Sequence, residues 1–384
     1  MKKLLIIHNE YRNLGGEDIA VNNEIDFLKK YYQVNSIGYD NKITSFLKQG
    51  LAFLTAKNKE SKNKLIKQLE SFKPDYVYIH NTWFKASISV FDELIKRNIK
   101  FTIKLHNFRY FCTRSFLIKN HLEGKSFCKA CGMSKKRFSV FNKYFNESYL
   151  KSFFVIIYGR KYFRILKNEN TRLIVLTDFH KHFLIELGFN QKNIFVLQNI
   201  ISTQNTKAVA KKRNNIIYAG RISDEKGIEE LINAFLSAKF LETKLNIIGD
   251  GPNLVFLKKK YSCNEIIFHG QLERKEVLEM ISASKVVVTA TKLYEGQPTL
   301  LTEASLMAVP SIFPDNGGIK EFFPDNYIFS YSQTEQNDLV DKLKLIETNQ
   351  DLLERTGYEC KKFIEDKLSK ERIINVYDKI IENS

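Results

Sequence analysis

The chain alternates short, unbroken apolar runs with longer stretches in which apolar residues recur every three or four positions. Residues 4–7 are wholly apolar and predict a buried strand. Asn13, Leu14, Gly15 and Gly16 predict a turn, and Ile19, Ile25, Phe27 and Leu28 mark an amphipathic helix near 18–31. The rhythm continues with strands at 34–37, 76–80 and 101–105 and helices at 62–72 and 90–97. Over 107–164 it breaks: this segment is basic and aromatic and is expected to be irregular. It resumes with a strand at 173–176, a helix at 179–187 and a strand at 194–197. The polar, basic stretch 202–215 reads as a linker. Strands then follow at 216–219, 244–248, 266–269, 286–290 and 311–313, with helices at 227–238, 253–261, 273–282 and 299–307 between them. The charged, amphipathic end, 338–383, reads as helical. Strands that alternate with helices predict parallel βαβ units, here in two successive α/β domains. Ligands of such sheets bind beyond the carboxyl ends of the strands. The expected division is a first domain at 1–201, the linker at 202–215, a second domain at 216–365 and a terminal helix at 366–384.

Composition narrows the partners. With 384 residues and 43% hydrophobic content, the chain is large enough for two packed cores. Its net charge of +17 attracts anions: phosphorylated small molecules, nucleic acid or an anionic membrane surface. A solvated Lys-rich surface accounts for the same charge. No apolar run approaches the roughly 20 residues of a bilayer-spanning helix. The apolar start ends at His8, which favours a first strand over an export leader, and five scattered cysteines fit a reducing cytoplasm.

The candidate chemistry falls just after predicted strands. Gly220-Arg221-Ile222-Ser223-Asp224-Glu225-Lys226-Gly227 supplies a tight turn, a guanidinium fork for phosphate oxygens and a second cation. Its spacing is not that of a P-loop. Gly249-Asp250-Gly251-Pro252 is a second such turn. Glu295 and Glu303 flank Gly296-Gln297-Pro298, the entry to a helix that carries Thr299 and Leu300. Carboxylates there can orient sugar hydroxyls, and free N–H groups can hold phosphate. Gly15-Gly16 follows the first strand without the dinucleotide spacing. His80 and His106 each end a predicted strand, where an imidazole can bond a hydroxyl or move a proton. Cys128 and Cys131, with Cys112 and His121 nearby, lack the second cysteine pair of a structural zinc site, so no metal is expected. Each motif alone also fits an ordinary turn or surface pair.

Taken together, Gly220-Arg221-x4-Lys226-Gly227, Gly249-Asp250-Gly251-Pro252, Glu295-x7-Glu303 and Asn316-Gly317-Gly318 resemble the retaining glycosyltransferases of family 4. In the first half, residues 7–12 with Gly15-Gly16-Glu17-Asp18, then Ile79-His80-Asn81, then residues 105–112 resemble a polysaccharide-building subgroup of that family. The resemblance implies a GT-B fold: α/β, two Rossmann-like domains whose parallel sheets face a deep interdomain cleft, with C-terminal helices packing back toward the first domain. It implies a nucleotide-sugar donor bound by the second domain and a saccharide or lipid-linked oligosaccharide acceptor on the first. By resemblance, Arg221 and Lys226 neutralise the donor diphosphate, Glu303 takes the ribose hydroxyls and Glu295 contacts the transferred sugar. Gln297, Pro298, Thr299 and Leu300 hold sugar and phosphate oxygens, and Gly220 and Gly249 shape the donor loops. Gly15 and Gly16 close over the diphosphate or acceptor, His106 lies near the sugar, and His80 and Arg109 lie on the acceptor side. No cofactor or divalent metal is implied. The implied reaction is front-face transfer with retention, the departing phosphate taking the acceptor proton. Where the family usually has Phe-Gly after the first Glu, this chain has Gly296-Gln297-Pro298, where sugar choice is expected to differ.

The expected role is bacterial surface polysaccharide synthesis, by a protein that is cytoplasmic or peripheral on the anionic inner membrane. Three alternatives stand beside it: a GT-B nucleotide-sugar epimerase, a scaffold that has lost activity, and a nucleic-acid binder suggested by charge alone. No nucleic-acid-binding motif is visible, so no nucleic-acid partner is expected.

Overall fold

The computed structural model describes residues 1–10, 16–40, 55, 57–83, 85–108, 110–111, 148–169, 171–201 and 214–382. The chain divides into two units, Met1–Ile200 with Glu371–Ser384, and Ile201–Lys370.

The first unit holds six strands: β1 (Lys3–Glu10), β2 (Gln33–Asp40), β3 (Tyr76–Ile79), β4 (Phe101–Leu105), β5 (Arg172–Val175) and β6 (Ile194–Val196). They form one sheet in the order β2-β1-β3-β4-β5-β6, every pairing parallel. Unbroken apolar runs suit strands covered on both faces, and Leu4, Leu5, Ile6 and Ile7 are at most 1% exposed. Helices Gly16–Leu28, Lys59–Phe72, Ser89–Lys96, Tyr149–Leu166 and Asp178–Glu186 connect the strands. Asn58 caps the second of these by accepting from the Glu60 and Ser61 N–H groups, and Thr177 caps the fifth through His180 N–H. The terminal helix Lys370–Glu382 also belongs to this unit. Its Ile373, Tyr377, Ile380 and Ile381 fall on one face and pack with Leu4, Tyr32, Tyr76 and Tyr78.

The second unit repeats the plan with β7 (Asn215–Ala219), β8 (Lys244–Ile248), β9 (Ile266–Gly270), β10 (Val286–Val288), β11 (Ser311–Pro314) and β12 (Ser330–Tyr331). Their order is β12-β11-β10-β7-β8-β9, again all parallel. The chain runs outward from β7 through β8 and β9, then returns to the other side of β7. Adjacent connections therefore diverge between β7 and β10, which opens a crevice at their carboxyl ends.

One expectation changes. The stretch 107–164 was expected to be irregular throughout, yet Tyr149–Leu166 is an 18-residue helix. Val155, Tyr158, Tyr162 and Leu166 recur at helical spacing and are buried; the surrounding aromatic and basic residues obscure that period. The amphipathic end 338–383 is three helices, Asp338–Thr348, Gln350–Lys367 and Lys370–Glu382. Asn349 starts the second by accepting from Leu352 N–H, which breaks the run.

Candidate functional site

In the second unit, the loops beyond β7, β8 and β10 are stitched together through backbone. Gly220 N–H donates to Ile248 O (2.9 Å), Ile222 N–H to Asp250 O (2.9 Å) and Lys292 N–H to Glu225 O (2.9 Å). Glycine makes the closest crossings possible. A Cβ on Gly249 would sit 1.9 Å from Gly220 O, and one on Gly227 would sit 2.1 Å from Ala290 O. Gly227 also holds φ +65°, a left-handed conformation that resists any side chain. It closes the short 3-10 turn Asp224–Lys226 and opens helix Ile228–Ala238. This turn sets the direction of Lys226.

Lys226 Nζ lies 2.5 Å from Glu295 Oε1, which also accepts from Thr291 Oγ1 at 3.0 Å. Both ion-pair partners are about one-quarter exposed. Arg221 is exposed beside them in sequence, and its carbonyl accepts from Tyr218 Oη. Helix Thr299–Leu306 follows Gln297 and Pro298, both buried, and no side chain caps its first turn. The first N–H groups of a helix have no partner within the helix and can serve ligand oxygens. Glu303, on the same helix, is buried, and its Oε1 is 2.5 Å from Arg274 Nη2. Burial pushes the Glu303 carboxyl above its usual range, and Arg274 opposes that shift.

In the first unit the corresponding edge is largely buried. His8 Nε2 lies 2.8 Å from Asp18 Oδ1. His80 Nδ1 and His106 Nε2 are 3.0 Å apart, and the two rings stack at 5.3 Å. Beneath them, Lys104 donates to both oxygens of Glu24, at 2.9 and 3.0 Å, and Tyr78 Oη donates to Glu24 Oε1 at 2.8 Å. Lys104 and Glu24 have fully buried side chains. Burial pushes Glu24 up and Lys104 down, while their attraction opposes both shifts. Burial also holds His80 and His106 well below the usual imidazole range; for His106, Lys104, His8 and His180 add to the effect, so both rings are neutral. Glu24 Oε2 faces His80 Nε2 at 3.9 Å. That favours a proton on Nε2, so His80 Nδ1 accepts from His106 Nε2–H, and His106 Nδ1 is left as an acceptor. Asn9 and Asn81 tie the ends of β1 and β3 together: Asn81 Nδ2 donates to Asn9 O (3.1 Å), and Ala86 N–H donates to Asn9 Oδ1 (3.0 Å).

The structure brings Lys226 into contact with Glu295, and His80 into contact with His106. Gly220 and Gly249 meet at the loop crossing. Gly16 opens the first helix, and Glu17 lines a small cavity with His80, His106 and Tyr110. Gly15 and Arg109 lie outside the described residues, as do Cys112, His121, Cys128 and Cys131. Sequence reading missed Arg274, Glu24 and Lys104. One signal was present: Lys104 is a lone charge in the apolar strand 101–105, a pattern that demands a buried partner.

Residues 201–363 match the family model described as Glycosyl transferases group 1. The chain is 27% identical over 182 residues to the amylovoran biosynthesis glycosyltransferase AmsD of Erwinia amylovora, covering 43% of this chain and 49% of that protein. It is 23% identical over 228 residues to an uncharacterized 41.2 kDa protein in the cps region of Klebsiella pneumoniae, covering 56% of this chain and 63% of that one. The match thus spans less than two-thirds of either relative. Among solved structures, the crystal structure of Anabaena HepE in complex with UDP and glucose aligns over 100% of both chains, with a TM-score of 0.71 and 14% identity. That likeness carries the fold: GT-B, with two Rossmann-like domains. The sequence matches support the glycosyltransferase superfamily.

Proposed function

We propose that this protein is a retaining, metal-independent glycosyltransferase that moves a sugar from a nucleotide diphosphate donor to a saccharide acceptor. The acceptor is lipid-linked and the product a bacterial surface polysaccharide. The observation that carries this reading is the grouping of cations and carboxylates beyond β7 and β10, where the strand order reverses. AmsD is named for amylovoran biosynthesis, and the Klebsiella relative for its cps region, which supports the polysaccharide setting. UDP in the HepE structure supports a nucleotide-sugar donor.

On this reading Arg221 and Lys226 grip the donor diphosphate. Phosphate oxygens compete with Glu295 for the Lys226 ammonium, and Glu295 is released toward the sugar. The bond from the sugar C1 to the phosphate oxygen breaks as the acceptor oxygen bonds to C1 on the same face. The acceptor proton passes to the departing phosphate, so no side chain acts as nucleophile. The cations and the N–H groups at Thr299 and Leu300 stabilise the leaving charge. Glu303 takes the ribose hydroxyls.

Peripheral membrane contact belongs to the same proposal. Tyr149, Leu150 and Phe153 are exposed at the start of helix Tyr149–Leu166, which carries Arg160, Lys161 and Arg164 further along. Among the described residues no helix is long and apolar enough to cross a membrane.

The test is release of nucleoside diphosphate from a panel of UDP-, GDP- and other sugars, with and without lipid extract. Donor-specific release is expected, reduced at least about a hundredfold by Arg221→Ala and by Glu295→Ala. No release from any donor, or release untouched by both substitutions, would refute the proposal.

A further inference from the structure

The ion pair between Arg274 and Glu303 has no part in the transfer chemistry above. Arg274 is the first residue of helix Arg274–Ser282, which follows β9. That helix start is already closed by reciprocal bonds between Glu273 and Glu276, so Arg274 is not needed as a cap. Its guanidinium instead reaches helix Thr299–Leu306 and ends 2.5 Å from Glu303 Oε1. The two partners differ sharply in setting. The Arg274 side chain is 38% exposed, the Glu303 side chain 7%. Oε1 is shut off from water and, apart from this ion-pair contact, has no hydrogen-bond partner among the described residues. A carboxylate held this far from water is driven toward its neutral acid, and Arg274 is the charge that opposes the shift.

The protonation state decides what Glu303 can bind. With Oε1 shielded against Arg274, the other carboxylate oxygen must serve both vicinal hydroxyls, and its lone pairs accept from both only when the group is ionised. A proton on that oxygen makes it a donor and takes away one of the two contacts. We propose that Arg274 is a positioning and specificity-determining residue for the donor: it keeps Glu303 ionised and aimed, and so makes the site select a nucleotide that carries both ribose hydroxyls. This inference rests on the reading of Glu303 as the ribose ligand. Without Arg274, burial of Glu303 is unopposed, its carboxyl shifts further toward the neutral acid, and the paired hydroxyls lose their advantage. Raising the pH restores the carboxylate and, with it, the preference.

The experiment is calorimetric titration of the whole chain with UDP, GDP and their 2′-deoxy forms from pH 6 to pH 9. The variants are Arg274→Met, Arg274→Lys, Glu303→Gln and the double variant Arg274→Met with Glu303→Gln. The unmodified chain is expected to prefer the ribonucleotide at every pH. Arg274→Met should weaken ribonucleotide binding about tenfold at pH 7, affect the 2′-deoxy form much less, and recover at pH 9. Arg274→Lys, which keeps the charge, should rescue most of the loss. Glu303→Gln should lose the preference at all pH values, and adding Arg274→Met to it should change nothing further. Thermal melts of each variant separate a binding change from a folding change, because Arg274→Met leaves the buried Glu303 without its cation while Arg274→Lys and the double variant do not. Unchanged affinity, preference and pH dependence in Arg274→Met, with Glu303→Gln impaired, would overturn this inference alone. An unimpaired Glu303→Gln, or no binding of either ribonucleotide by the unmodified chain, would overturn the ribose reading and this inference with it.

Discussion

The carboxyl edges of the two sheets use the same kinds of residue in opposite ways. In the first unit, Lys104, Glu24 and Tyr78 form a buried network next to the stacked His80 and His106. In the second, Lys226 pairs with Glu295 while both are about one-quarter exposed, and Arg221 is open to solvent. A buried pair is committed to its partner, because either charge left alone would pay the full cost of desolvation. A half-exposed pair can exchange its partner for a ligand at little cost. The first edge is therefore built to hold groups in fixed positions, and the second to trade contacts with an anion.

The largest effect should come from breaking the buried side. Lys104→Met strands the Glu24 carboxylate and should cost about 3–5 kcal/mol, read from denaturant unfolding. A loss below about 1 kcal/mol would mean that water or a second cation reaches Glu24.

Acid should attack the same unit next. His80 and His180 are buried and His106 half-buried; all three are neutral, with folded pKa values below the ordinary 6.5, and that of His180 is about 3. For such groups, stability is fully present above 6.5, where neither state is protonated. It is lost as pH falls below 6.5, where the unfolded chain takes up protons and the folded chain does not. The loss continues down to the folded values, about 3 for His180. At pH 5.5 each should cost about 1 kcal/mol. Melting temperature measured from pH 7.5 to pH 5 should fall, and replacing His180 with Phe should flatten part of that fall. A melting temperature independent of pH over this range would show that the imidazoles are not sealed.

The smallest effect on stability should come from the open side. Lys226→Met should change unfolding free energy by about 1 kcal/mol or less, yet weaken UDP or GDP binding at least about tenfold in calorimetry. A large loss of stability here would make the Lys226–Glu295 pair structural and erase the contrast.

Much of this was legible in the chain. Apolar runs marked the strands, and the motifs after them carried Arg221, Lys226, Glu295 and Glu303. The helix Tyr149–Leu166 escaped because its buried period, Val155, Tyr158, Tyr162 and Leu166, is interleaved with Phe, Lys and Arg. Arg274 and Glu24 escaped because a charged residue on an amphipathic helix reads as solvated unless its partner is known.

What the sequence by itself determined was therefore local: the period of each segment, the turns that need glycine, and the chemical groups delivered to each strand end. Which of those groups meet was decided by the tertiary structure. Glu24 and Lys104 are 80 positions apart, and Lys226 and Glu295 are 69 apart. They come together only through strand order, parallel register and the reversal at β7 and β10. The physical reason is that periodicity reports which face of an element is buried, whereas an ion pair depends on which two buried faces the sheet sets side by side.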